Sequence, residues 1–266
     1  MDQMTSAMLE MADMDELSRM DSFVHRRHPL PKLLITIIYI FAVVSVGLDD
    51  MTGIIPLVLY PVLVFQLSGI PMKTCFYKLR VIIPIVCAVG IWNPILDRTP
   101  VLQLGGFMVT SGMLSFVTLM FKGIWALMAS FLLIATTNIE KICYALSLLH
   151  VPDILVTQTL ITYRYISLLL RQAGTMSDAY RLRAPGQKGI HISAWGSFLG
   201  QLLLRSMDRA QELYKSMELR GFHGSFYYAN VQKADRTDYI YTAVCIAMIL
   251  LLRFVNVSEL LGRVLF

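Results

Sequence analysis

Two short arginine-bearing segments are where this chain concentrates recognition chemistry. One reads Arg181-Leu182-Arg183-Ala184-Pro185-Gly186, the other Met217-Glu218-Leu219-Arg220-Gly221-Phe222. Each sits where a long amphipathic helix is predicted to end. A guanidinium carries five donors in a planar fork, which suits bidentate grip on a carboxylate or phosphate. The plainer alternative is that Arg183 and Arg220 only complement the negative ends of their own helices. Composition leaves the two readings about even.

Other chemistry is thin. No G-x-x-x-x-G-K-[ST] segment is present, so the chain shows no P-loop nucleotide site. His25, His28, His150, His191 and His223 lack the spacing of metal ligands. Cys75, Cys87, Cys143 and Cys245 are scattered and read as small buried hydrophobes. Met1, Met4, Met8 and Met11 form a helical stripe, read as a packed or surface-lying segment rather than a soft-metal site. Lys122 interrupts an apolar run. It either lines a transport path or snorkels or faces the helix bundle. The reading assigns no cofactor, no catalytic residue and no metal site.

The elements that position the arginines follow from composition. The 266 residues are 56% hydrophobic and 15% charged, with a mean hydropathy of +0.61. Soluble domains carry about 25% charged residues, so an integral membrane protein is expected. The net charge of +5, without a basic tail, bears on topology and not on nucleic acid. Residues 1–31 are polar and acidic and do not read as a cleavable signal.

Apolar runs predict five spans: Lys32–Leu48, Gly53–Ile70, Val81–Leu96, one helix from about Gly112 to Thr137 after an apolar approach from Val101, and Tyr239–Val257. A sixth would require splitting the fourth stretch, where no turn cluster divides it. Basic residues favour five. Arg19, Arg26, Arg27 and Lys32 precede the first span; Lys73, Lys78 and Arg80 follow the second; residues 138–237 carry twelve Lys/Arg. The opposite loops hold Asp49-Asp50 and Asp97-Arg98. The positive-inside rule then puts the N-terminus inside and the C-terminus outside.

Residues 138–237 read as a helical cytoplasmic insert. A short helix over about Ile139–Leu149 breaks at His150-Val151-Pro152-Asp153, with Pro152 placed at a helix start. A second helix of about 45 Å runs to Ala184-Pro185-Gly186. A third starts near Ile192, has apolar positions at three-and-four spacing, and ends at Arg220-Gly221. The short loop between the long helices folds them back across each other and sets Arg183 and Arg220 at opposite extremes. Gly196-x-x-x-Gly200 and Ala173-Gly174 are expected to let the helices approach where they cross. The predicted parts are therefore 1–31, a cytoplasmic N-terminal segment; 32–137, spans one to four; 138–237, the coupling insert; and 238–266, span five and the C-terminus.

At these residues the chain resembles the transmembrane T component of energy-coupling-factor (ECF) transporters, most closely the cobalt-type CbiQ group. Leu182-Arg183-Ala184 and Leu219-Arg220-Gly221 match that family's arginine triplets. Met217 to Gly224 resembles its AM-x-x-RGF-x-G pattern more closely than the first triplet resembles its own, and Arg181 could share the role of Arg183. Ala135-Thr136-Thr137, Leu146 to Pro152, Tyr163-Arg164-Tyr165 and His28-Pro29-x-x-Lys32-Leu33-Leu34 agree in order and spacing.

The resemblance implies an all-α polytopic membrane protein with a coupling domain of long crossed helices. It implies a non-enzymatic scaffold that lies in the lipid bilayer of a prokaryotic cell membrane. Two cytoplasmic ATPase subunits and a membrane substrate-binding subunit are its implied partners. Arg183 and Arg220, flanked by Arg181, Ala184, Leu219 and Gly221, would dock on the ATPases, and cobalt or nickel ions are the implied cargo. Another micronutrient such as a vitamin stays open. An independent membrane enzyme or carrier would need convergent acids, histidines or midplane polar groups, and only isolated ones occur.

Overall fold

The computed structural model describes residues 3–47, 51–72, 74, 75, 80, 83–96, 100–104, 107–187, 189–224, 226 and 235–254. In chain order the helices are α1 (Gln3–Ser18), α2 (Pro29–Ser45), α3 (Met51–Ile54), α4 (Leu59–Ser68, entered through a 3₁₀ turn at Pro56–Val58), α5 (Ile83–Gly90) and α6 (Trp92–Leu96). A hairpin of β1 (Pro100–Leu104) and β2 (Phe107–Thr110) comes next. Then follow α7 (Ser111–Thr136), α8 (Ile139–Leu148), α9 (Asp153–Arg183), α10 (Ile192–Leu219) and α11 (Arg236–Phe254). The chain divides into two compact units, residues 1–16 with 139–231 and residues 17–138 with 232–266.

The second unit is built on α7. Its 26 residues give about 39 Å of helix against a hydrocarbon layer of about 30 Å. Among the described residues, α7 is the one helix long and apolar enough to cross a membrane. Pro29–Ser45, Pro56–Ser68 and Ile83–Pro94 are apolar but shorter. The expected single helix in the fourth apolar stretch is present from Ser111 on.

The fold is helical as expected, with one local addition in the apolar approach to this helix: residues 100–104 and 107–110 pair as antiparallel strands with Leu102 opposite Val109 and Leu104 opposite Phe107. Val101, Val109 and Thr110 are β-branched, and the two runs flank Gly105-Gly106. That is the composition of a two-residue hairpin. Asp49, Asp50, Lys73, Lys78, Asp97 and Arg98, and the residues beyond Phe254, lie outside the described residues.

Helix α2 packs on α7 and on α11. It starts with Pro29 inside its first turn, where a missing N–H costs nothing, and His28 Nδ1 accepts the Leu30 N–H at 3.3 Å. Leu33, Ile35, Tyr39 and Val43 of α2 are buried, as are Met128, Ala129, Leu132 and Ala135 of α7. The Tyr39 hydroxyl donates to the Leu57 carbonyl at 2.8 Å, and its ring lies 4.6 Å from that of Tyr60. Helices α5 and α7 approach through small residues. A Cβ on Gly90 would meet the Phe116 ring at 2.8 Å, and one on Gly123 would meet Val86 at 3.0 Å.

Two aspartates satisfy backbone donors at the start of helix α11. Asp235 Oδ1 accepts the Arg236 N–H and Asp238 Oδ2 accepts the Asp235 N–H. Arg27 donates to Thr237 and Asp238 and stacks on Phe23 at 4.2 Å.

The first unit holds the long helices. His150, at φ +61°, turns the chain after α8, and Pro152 precedes the 31 residues of α9. Helix α1 carries half-buried Met8 and Met11, two of the striped methionines; Met1 lies outside the described residues. Within this unit the Tyr163 hydroxyl donates to the Asp15 carboxylate at 2.6 Å. Burial, then that bond, push the Tyr163 phenol up to about 12.

Candidate functional site: the two arginine tips

Helix α9 ends at Arg183, with Arg181, Leu182 and Arg183 all exposed and Leu182 84% open to solvent. The Ala184 N–H closes the helix on the Tyr180 carbonyl. Tyr180 also fastens the loop that follows. Its hydroxyl donates to Gln187 at 2.9 Å and accepts the His191 N–H at 3.4 Å. His191 then caps α10 by accepting the Ser193 N–H on Nδ1. A tyrosine one turn before the tip therefore holds both sides of it, a role that the spacing of the arginines gives no hint of.

Helix α10 ends in a Schellman closure. The Phe222 N–H reaches the Met217 carbonyl at 3.0 Å, and the Gly221 N–H reaches Glu218 at 2.9 Å. That closure needs a left-handed residue, which Gly221 supplies at φ +79°. It leaves Leu219 89% exposed beside an exposed Arg220. Both tips thus present the same pair, a bare leucine next to an arginine.

The two long helices run back along each other. Thr157, in the first turns of α9, donates to the Gly224 carbonyl just past the α10 tip at 3.4 Å. Tyr165 of α9 shares an open cleft with Arg209, Glu212, Leu213, Met217 and Arg220 of α10. Tyr165 and Arg183 are eighteen residues apart, about 27 Å of helix, so the two tips are separated by a distance of that order.

The glycines expected at the crossing do not serve there. A Cβ on Gly174, Gly196 or Gly200 would meet nothing within 4 Å. Ala173 is buried, as are Ser177 and Phe198. The G-x-x-x-G spacing puts Gly196 and Gly200 on one face of α10, and that face looks outward. Close approach through glycine occurs instead at Gly90 and Gly123.

Other predicted chemistry resolves into structure. Lys122 directs its ammonium at the Val44 and Val46 carbonyls, where α2 ends. His25 is buried in a backbone contact, and His28 and His191 are helix caps. All four thiols are free, with Cys75 and Cys143 fully buried; burial, first, pushes the Cys143 thiol up. Among the described residues no group of three His, Cys, Asp or Glu side chains is placed to hold a metal ion.

Comparison with known proteins finds similarity over part of the chain. The profile of the CbiQ family, described as cobalt transport protein, matches residues 20–228. The nickel permease LarQ of Lactiplantibacillus plantarum is 30% identical over 105 residues, which are 40% of this chain and 38% of the permease. An uncharacterized protein of Methanocaldococcus jannaschii is 24% identical over 199 residues, 70% of this chain and 68% of that protein. The match to the permease therefore spans well under half its length. The family match starts before α2, runs through α7 and includes both arginine tips, and on it this helical membrane chain belongs to the CbiQ family of cobalt transport proteins.

Proposed function

We propose that the chain is the T component of an ATP-driven ECF-type importer for cobalt or nickel ions. It is a scaffold without catalysis of its own. Residues 138–237 form its cytoplasmic coupling insert, five helices span the membrane, the N-terminus is inside and the C-terminus outside. Its partners are two cytoplasmic ATPase subunits and a small membrane subunit that selects the ion. The observation that carries the reading is the pair of exposed leucine–arginine tips, Leu182-Arg183 and Leu219-Arg220, at opposite ends of one antiparallel helix pair. A rigid bar with two equivalent ends suits two copies, or two halves, of one partner. Arginine–carboxylate pairing supplies orientation, arginine being a residue type enriched where binding energy concentrates, and the adjacent leucine adds apolar surface to bury on docking. The permease named for nickel and the family named for cobalt support the choice of cargo.

The test is Arg183→Glu combined with Arg220→Glu in the assembled complex. Charge reversal at both tips abolishes coupled ATP hydrolysis and ion uptake, while the chain stays in the membrane at its normal level. Normal uptake by the double variant at equal expression would rule out docking through the tips.

A further inference from the structure

Four cationic or imidazole side chains in the second unit point at backbone carbonyls where helices end. At one end of the α2–α7 pair, Lys32 in the first turn of α2 is 5% exposed. Its Nζ donates to the Thr136 carbonyl of α7 at 3.0 Å and to the His25 carbonyl at 3.2 Å. His25, 6% exposed, reaches the Ala135 carbonyl at 3.3 Å and the Leu17 carbonyl at 3.0 Å through Nε2. The Ser22 hydroxyl lies 2.7 Å from its Nδ1. Two carbonyls facing Nε2 place the ring proton there, so the Ser22 hydroxyl donates to Nδ1. At the other end, Lys122 of α7 donates to the Val44 and Val46 carbonyls of α2. Arg253 of α11 donates to the Ser45 carbonyl at 2.9 Å.

The arrangement is reciprocal. Helix α2 sends a lysine to the C-terminus of α7, and α7 sends one to the C-terminus of α2. The last carbonyls of a helix have no intrahelical partner, and in an apolar layer water does not supply one. The two spacings also agree. Lys32 to Ser45 is about 20 Å of helix and Lys122 to Thr136 about 21 Å. A slide of one helix against the other by a single residue would therefore loosen both ends at once.

We propose that Lys32 and Lys122 form a reciprocal clasp that locks the register of α2 against α7. They are positioning residues for transport. The chain passes from Thr136 through Asn138 directly into α8, so a clasped α7 delivers a fixed end to the coupling insert. This last step rests on the proposed scaffold function; the clasp itself does not.

Two experiments separate them. In the isolated full chain in detergent, Lys32→Met and Lys122→Met each lower the melting temperature. Together they cost less than the sum, since the second loss acts on a register already released. Sites this far apart ordinarily add, so strict additivity would overturn the clasp, whatever the partners prove to be. In the assembled transporter, Lys122→Met lowers uptake of Co²⁺ or Ni²⁺ per ATP hydrolysed by about tenfold, in the range of residues that carry coupling without touching a ligand. Lys122→Gln keeps an uncharged N–H donor on a side chain one bond shorter, close enough for a small shift of the α2 end to restore the bond, and stays within about twofold of the native chain by the same argument. Loss with Gln as deep as with Met, at equal assembly, would mean that the charge and not the bond matters. It would overturn the positioning role in favour of one in the ion path. Should Lys122→Met fail to assemble, the Gln variant decides by the same criterion.

Discussion

At the scale of single residues, the arginine tips were legible because a helix end carries its own punctuation. Gly221 after Arg220, and Ala184-Pro185-Gly186 after Arg183, mark where each helix stops. What spacing could not show is the exposure of the leucine beside each arginine. Solvent exposure is set by which neighbours are absent, and that depends on the whole unit. Gly221 tests the construction of the second tip. No atom lies within 4 Å of a Cβ placed there, so Gly221→Ala carries a purely conformational cost of about 1 kcal/mol for a left-handed alanine. Asn, which tolerates that region, recovers part of it. Thermal unfolding of the purified chain in detergent measures both. An alanine variant as stable as the native chain would show that the Schellman closure does not hold the tip.

At the scale of elements, periodicity and breakers found the long helices to within a residue or so. The predicted start near Ile192 and the end at Arg220 bracket α10, and the predicted break at His150–Asp153 separates α8 from α9. The pairing of β1 and β2 escapes a reading by apolar length, because a short apolar run has no period that distinguishes strand from helix and the Gly-Gly between the two runs is the one local signal for it. The glycine reading failed for a related reason. G-x-x-x-G shows that two small residues share a helix face, but not which way that face looks. The structure separates the two classes by what a methyl would meet, and the stability of substituted chains checks the separation. Gly90→Ala drives a methyl to within 3 Å of the Phe116 ring, an overpacking cost of about 1–3 kcal/mol. Gly200→Ala meets open space and is neutral or gains up to about 1 kcal/mol of helix propensity. Equal effects of the two substitutions in a detergent melt would contradict the packing described for α5 and α7.

At the scale of the molecule, the proposed five-span topology places the arginine tips and the C-terminus on opposite sides of the bilayer. In chains freed of their native cysteines, Leu182→Cys stays protected in intact cells from a membrane-impermeant maleimide and reacts after permeabilisation. Arg263→Cys reacts from outside without it. Labelling of position 263 only after permeabilisation would overturn the odd number of spans. The prediction draws on the distribution of Lys and Arg, a signal set during insertion.

The sequence by itself determined the helical, membrane-type character of the chain, the ends of its two long helices and the family. These follow from local composition, period and capping, which act over one or two turns. Tertiary structure alone decided that Lys122 meets the end of α2, that Lys32 and His25 meet the end of α7, and that Gly90 and Gly123, rather than Gly196 and Gly200, sit at a close helix contact. Lys32 and Thr136 are 104 positions apart, and Lys122 and Val46 76. A buried carbonyl takes its donor from wherever the packing of α2 against α7 brings one, and no local pattern encodes that partner.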